Sequence, residues 1–139
     1  MLDSYRRWTG RELIARSGDP VVDAKVLFEA PFVIVSHGTQ KNPILNYGNQ
    51  TALNLWEIDW AHLTKMPSRE TAEPMHREER ELFMTRVKRD GFVTGYEGIR
   101  ISKSGKRFRI EDALIWNIID EKGSVCGQAA TFSKWRPVV

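Results

Sequence analysis

The chain has 139 residues, the length of one ordinary domain, and its formal charge of +3 is too mild to imply a nucleic-acid partner by itself. With 41% hydrophobic and 28% charged residues the composition is that of a folded globular protein. No apolar run approaches the roughly 20 residues that cross a bilayer, so no membrane association is expected, and a single cysteine, Cys126, excludes an internal disulfide.

The opening "MLDSYRRWTGREL" has no continuous apolar core of a secretory signal, and with one cysteine this predicts a cytoplasmic protein. Residues 3–16 read as an amphipathic helix capped by Asp3 or Ser4, with Tyr5, Trp8, Leu13 and Ile14 as its apolar face and Gly10 weakening its middle. "RSGDP" at 16–20 punctuates the chain, and 21–29 fits helix or strand equally. Phe32 to Val35 is a short buried strand ending near Gly38, and "ILNYGN" is a second. Residues 50–66 change to a helical period, with Asp59 as a cap between two short helices.

The connector "MPSRETAEPMHREER", residues 66–80, holds two prolines that restrict the residues before them. After Pro74 a helix is expected, with Leu82, Phe83 and Val87 on one stripe and Gly91 as its stop. From residue 92 the pattern is β. "YEGIRIS" alternates with Ile99 and Ile101 on one face and Arg100 and Ser102 on the other. "RFRIEDALIWNII" is a long strand in which Phe108, Ile110, Leu114, Trp116 and Ile118 share one parity, and "VCGQAATFSKW" is the last. The order is α+β: a five-stranded antiparallel sheet with helices inserted between strands 2 and 3, plus an N-terminal flanking helix. Residues 1–29 form the flank and 30–139 the domain.

This order is the layout of a PAS-like fold. The blocks "YGNQTALNLWE", "LTKMPSRETAEP", "REER", "GIRISKSGKRFRIEDALIWN" and "GQAATF" make the sequence resemble the MEKHLA domain family across residues 31–135. That PAS-related family occurs as stand-alone bacterial proteins, the type this chain resembles, and at the C-terminus of plant homeodomain–leucine zipper proteins. The resemblance implies a sensory or ligand-binding domain without catalytic activity. Fold alone does not assign function.

Individual residues carry little catalytic signal. His37, His62 and His76 sit in no metal motif; His76 and Glu79 can share a helix face but lack a third ligand. No nucleophile motif is present, and Cys126 beside Gly127 reads as a small hydrophobe within a strand. A thiol-based redox switch at Cys126 is the sharper alternative. The "NCRFLQ"-like motif of flavin-binding LOV domains is absent, which argues against a cysteine adduct and names no cofactor. Five basic residues between Arg100 and Arg109, with Phe108 interleaved, form a β-ribbon that could track phosphates. Nucleic-acid binding by ribbon 100–109 is therefore the alternative function, weighed against a solvated sheet face.

The leading expectation is a pocket for a small, flat, mostly apolar molecule, lined by the inward face of the long strand with Trp116, and walled by Trp56 and Trp60. Tyr47, Asn49 and Gln128 are its candidate polar groups. Asp112 shares the core parity unless a bulge flips it. A filled core fits the same residues. Arg69 can pair with Glu73, Glu57 or a ligand carboxylate. Tyr5 and Trp8 either cap the sheet or form a homodimer contact, and a separate protein is a candidate output partner.

Overall fold

Two helices precede the sheet. The computed structural model describes residues 1–72 and 74–138, without the side chains of 74–77, 79 and 80; in it α1 spans Leu2–Thr9 and α2 spans Pro20–Phe28. The helix expected over 3–16 is cut short by Gly10, which takes φ 73° and donates its N–H to Arg6 O. Glycine reaches that left-handed conformation without a Cβ clash, so it ends the helix rather than weakening its middle. Pro20 at the first position and Asp19, which accepts from Val21 N, settle the following stretch as helix. Asp23 on α2 accepts from the Ser17 N–H and hydroxyl, and these bonds hold its carboxyl below the usual range.

Strands β1 (Val33–His37), β2 (Leu45–Gly48), β3 (Phe92–Ile101), β4 (Arg107–Ile119) and β5 (Val125–Phe132) lie in the order β2-β1-β5-β4-β3, every pairing antiparallel. Helices α3 (Gln50–Trp56) and α4 (Trp60–Leu63), a 3-10 turn over Ser68–Thr71, and α5 (Pro74–Asp90) fill the interval between β2 and β3. The expected layout is present, with one addition. The run read as a single last strand breaks at Ser133, and β6 (Lys134–Pro137) continues along β4, setting Trp135 opposite Ile110.

Two β-bulges decide which side chains face the helices. Between the pairs Tyr96↔Ala113 and Gly98↔Ile110, β4 spends Glu111 and Asp112 against Glu97 alone. Asp112 sits there at φ 52°, exposed to solvent. Between Val93↔Ile115 and Tyr96↔Ala113, β3 spends Thr94 and Gly95 against Leu114. An inserted residue switches the side-chain parity beyond it. Phe108 and Ile110 therefore face the helices, but past the bulge Ala113 and Ile115 take that role. Trp116, read from simple alternation as inward, lies on the opposite face beneath α1. Beyond the bulge on β3 the alternation read from the sequence holds: Tyr96, Gly98 and Arg100 face inward, and Ile99 and Ile101 are only partly buried.

The helix-covered face holds the main core, including Val33, Ala52, Trp56, Val87, Ile115 and Phe132. On α5, Val87 is fully buried and Phe83 packs edge-on against Tyr96 at 4.3 Å, but Leu82 is exposed and not part of the stripe. On the other face α1 covers Trp116. The Tyr5 ring meets its indole edge-on at 5.1 Å, and the indole N–H donates to Met1 O. Trp8 stacks on Phe92 and donates its indole N–H to Asn117 O at 2.9 Å.

Gly91 makes this docking possible. It has φ 89°, and an added Cβ would lie 2.7 Å from the Trp8 ring. Gly91→Ala is expected to lower stability by about 1–3 kcal/mol, from the left-handed backbone and the displaced indole together. A urea midpoint equal to that of the wild type would show that Trp8 can move aside at no cost.

Candidate ligand cavity

A cavity of about 60 Å³ lies between the sheet and its inserted helices. Its floor is apolar: Val35 from β1, Ile110, Ala113 and Ile115 from β4, and Ala129, Ala130 and Phe132 from β5. Trp56 at the end of α3 and Met84 of α5 close it, with Ser68 and Thr71 of the 3-10 turn at its rim. Trp56 is held by edge-on contacts with Phe108 and Phe132.

Polar groups enter from both sides of β4. Arg100, on β3, is only 6% exposed. Its guanidinium donates to Tyr96 Oη at 2.7 Å and Ile99 O at 2.9 Å, and lies over the Tyr96 ring. Gly98 leaves the space for this pair, since a Cβ there would stand 2.6 Å from Tyr96 Oη and 3.1 Å from Arg100 Nη1. Among the described residues, no carboxylate forms an ion pair with Arg100. From β5 comes Gln128, whose Nε2 donates to Asn117 Oδ1 at 3.3 Å and whose Oε1 is buried with no hydrogen-bond partner. The Trp56 indole N–H is likewise buried without a partner. His37 also lines the cavity, with Nδ1 at 2.8 Å from Gly38 O.

Of the eight pocket residues expected from the sequence, the structure brings two, Trp56 and Gln128, to this cavity. Trp116 is on the far face, and Asp112 points to solvent from the bulge. Trp60 is 43% exposed and forms a separate aromatic group with Tyr47 and Phe28. The Tyr47 hydroxyl is buried without a partner, and burial raises its pKa. Asn49 is fully buried but works as a joint: Oδ1 accepts from Ile34 N and Ala52 N, and Nδ2 donates to Leu27 O and Phe32 O.

Arg69 is exposed and has no ion pair among the described residues. Glu57 instead holds Lys106 at 3.2 Å and accepts from the Ser104 N–H and Ser102 hydroxyl, and Ser104 and the Lys106 ammonium hold its carboxyl below the usual range. Glu73, and the side chains of His76 and Glu79, lie outside the described residues. Cys126 is exposed at the start of β5 rather than a buried small hydrophobe, at the irregularity between the pairs Ile118↔Gly127 and Ile119↔Val125. Tyr5 and Trp8 are spent within the chain as the cap on the sheet.

Sequence reasoning missed Arg100 and Tyr96, yet a signal existed. In an antiparallel pair, directly opposed residues share a face. Phe108 was read as inward, and Arg100 is its partner across the hairpin. The five-residue loop from Ser102 to Lys106 sets that register. The supposed ribbon of five basic residues is broken in consequence. Arg100 is inside, while Lys106 and Arg109 pair with Glu57 and Glu97.

A curled antiparallel sheet with helices inserted after its second strand, closing a small cavity against its inner face, defines a PAS-type domain. The chain belongs to the MEKHLA domain family, whose model matches residues 1–137 and so takes in the helical flank as well as the sheet. Solved structures agree on the fold. The PAS domain of a protein from Colwellia psychrerythraea matches with a TM-score of 0.70 at 20% identity, covering 85% of this chain and 95% of that one. An RNA-binding light-oxygen-voltage receptor matches at 0.69 and 18% identity, covering 86% of this chain and 33% of that one. A structure described as "Flavin Analogue Sheds Light on Light-Oxygen-Voltage Domain Mechanism" matches at 0.66 and 14% identity, covering 89% of each chain. Comparison with curated protein sequences returns no match. No helix among the described residues is long and apolar enough to cross a membrane.

Proposed function

We propose that this chain is a sensory domain that binds a small molecule in the cavity and signals through the packing of its helices. One observation carries the reading: polar groups are buried in an otherwise apolar cavity with part of their hydrogen-bonding capacity unused. Buried polar atoms normally find partners, so the unpartnered Gln128 Oε1 and Trp56 N–H call for one. A cavity of about 60 Å³ suits a molecule of a few heavy atoms. A flavin does not fit, because ring systems of that size occupy pockets of roughly 300 Å³ or more. Cys126, exposed and not among the cavity residues, is placed for no adduct within it.

The route outward runs through α3. Its last residue, Trp56, walls the cavity, and its cap, Asn49, holds Leu27 O near the end of α2. A ligand that prefers one setting of α3 would shift the population of α2 settings with it. Helix α2 exposes Val21, Val22 and Val26. With Tyr5 and Trp8 spent on the sheet, this apolar surface is the better candidate for a homodimer or an output protein. No catalytic step is proposed. A nucleic-acid role for residues 100–109 is weakened by the inward Arg100 and the paired Lys106 and Arg109.

Native mass spectrometry of the freshly purified protein tests the reading. The expected result is a dimer carrying one small molecule per subunit, shed on denaturation. A chain of bare mass, with no thermal shift across a panel of small metabolites, would sink it.

A further inference from the structure

From Arg100, we infer that the cavity recognises the carboxylate of a short-chain organic acid; this rests on the small-molecule reading above. A guanidinium stays charged at any pH that leaves the protein folded. Burying a charge without a counter-ion is costly, and neutral hydrogen bonds offset only part of that cost. Arg100 is 6% exposed, and its hydrogen-bond partners are a phenol and a backbone carbonyl. Two of five N–H donors are thereby used, and no carboxylate among the described residues supplies the missing charge. A guanidinium with spare parallel donors matches a carboxylate in shape as well as in sign.

The remaining groups agree with this choice. The unpartnered Trp56 N–H is a second donor on the same cavity, and a donor is what an anion needs. Met84, Ile110 and Ala113 supply apolar lining for a short alkyl tail. Gln128 Oε1, a buried acceptor without a hydrogen-bond partner, is suited to a hydroxyl or protonated amine on that tail. The small volume limits the acid to a few carbons. Gly98 then has a functional reason: it clears the space in which Tyr96 orients the guanidinium.

The test sets propionate against propionamide, two probes of one shape that differ in charge, at constant ionic strength in chloride. Binding is read by thermal shift and by the side-chain Nε–H resonance of Arg100. Propionate is expected to bind the wild-type chain saturably and move that resonance, with propionamide at least about tenfold weaker. Arg100→Gln is expected to lose the discrimination. The ligand-free variant should melt no lower than the wild type, because it removes a buried charge that lacks a counter-ion. Gln128→Glu, which adds a negative charge to the cavity wall, should also abolish propionate binding. Equal binding of both probes, or propionate binding retained in Arg100→Gln, would overturn the carboxylate assignment and leave the small-molecule reading standing. Binding of neither probe overturns the assignment as well. If native mass spectrometry also shows a bare chain and the metabolite panel gives no thermal shift, the small-molecule reading falls with it.

Discussion

Replacing Trp116 by alanine is expected to cost about 3–5 kcal/mol of stability, the range for removing a large, fully buried aromatic. The side chain has no exposed surface and is the centre on which α1 is seated. Its loss removes the Tyr5 contact and the hydrogen bond to Met1 O, and it leaves a cavity on a face that has no second layer to collapse into it. Against a typical total of roughly 5–15 kcal/mol, the variant would be marginal at room temperature. Urea unfolding measures the cost, and limited trypsin digestion reports on α1, where cleavage after the exposed Arg6 and Arg7 should quicken first as the helix opens. Trp60→Ala is the control: its side chain is partly exposed, so a change near or below about 1 kcal/mol is expected. A Trp116→Ala protein as stable as the control would mean that α1 is not held by this contact.

The second large effect is expected at Asn49. Asn49→Ala removes four hydrogen bonds at once, including the cap of α3 and the bond to Ile34 N within β1. A lost cap is worth about 1 kcal/mol, and each buried group left unpaired adds about 1–3 kcal/mol before relaxation. A total of about 3 kcal/mol or more is expected. Asn49→Asp is the more telling substitution. It keeps the acceptor for Ile34 N and Ala52 N but points an oxygen at the carbonyls of Leu27 and Phe32. Ionised in that setting, the carboxyl is disfavoured, so its folded-state pKa must rise above the unfolded value. The folded state then binds more protons than the unfolded one, and stability recovers as pH falls toward the raised pKa. Stability of Asn49→Asp that falls in step with the wild type on acidification would refute the assignment of Nδ2 to those two carbonyls.

Much of the fold was legible because local chemistry and tertiary need agreed. Asp59 caps α4 as the sequence implies, and the strand β4 was read with its true ends because turn residues bound it on both sides. The flank was misread where a residue has two uses. Gly10 is a poor interior helix residue and a good terminator, and only the chain beyond it decides between them.

The cavity was far less legible, and the reason is parity. Strict alternation is the one facing signal a strand offers, and a single bulge inverts it. Asp112, a carboxylate on the core parity, was the one mark of the bulge, but it did not say on which side of itself the parity changes. With the bulge, Trp116 leaves the cavity and Ala113 and Ile115 enter it, while Arg100 lies inside because it pairs with the inward Phe108. The sequence by itself determined the family, the element order and the Asp59-capped start of α4, because these depend on residues close together in the chain. Only the tertiary structure decided which face of β3, and which face of β4 beyond its bulge, meets the helices, and so placed a charged guanidinium in the interior. That choice depends on the pairing of two strands across a hairpin, a long-range property that no local pattern encodes.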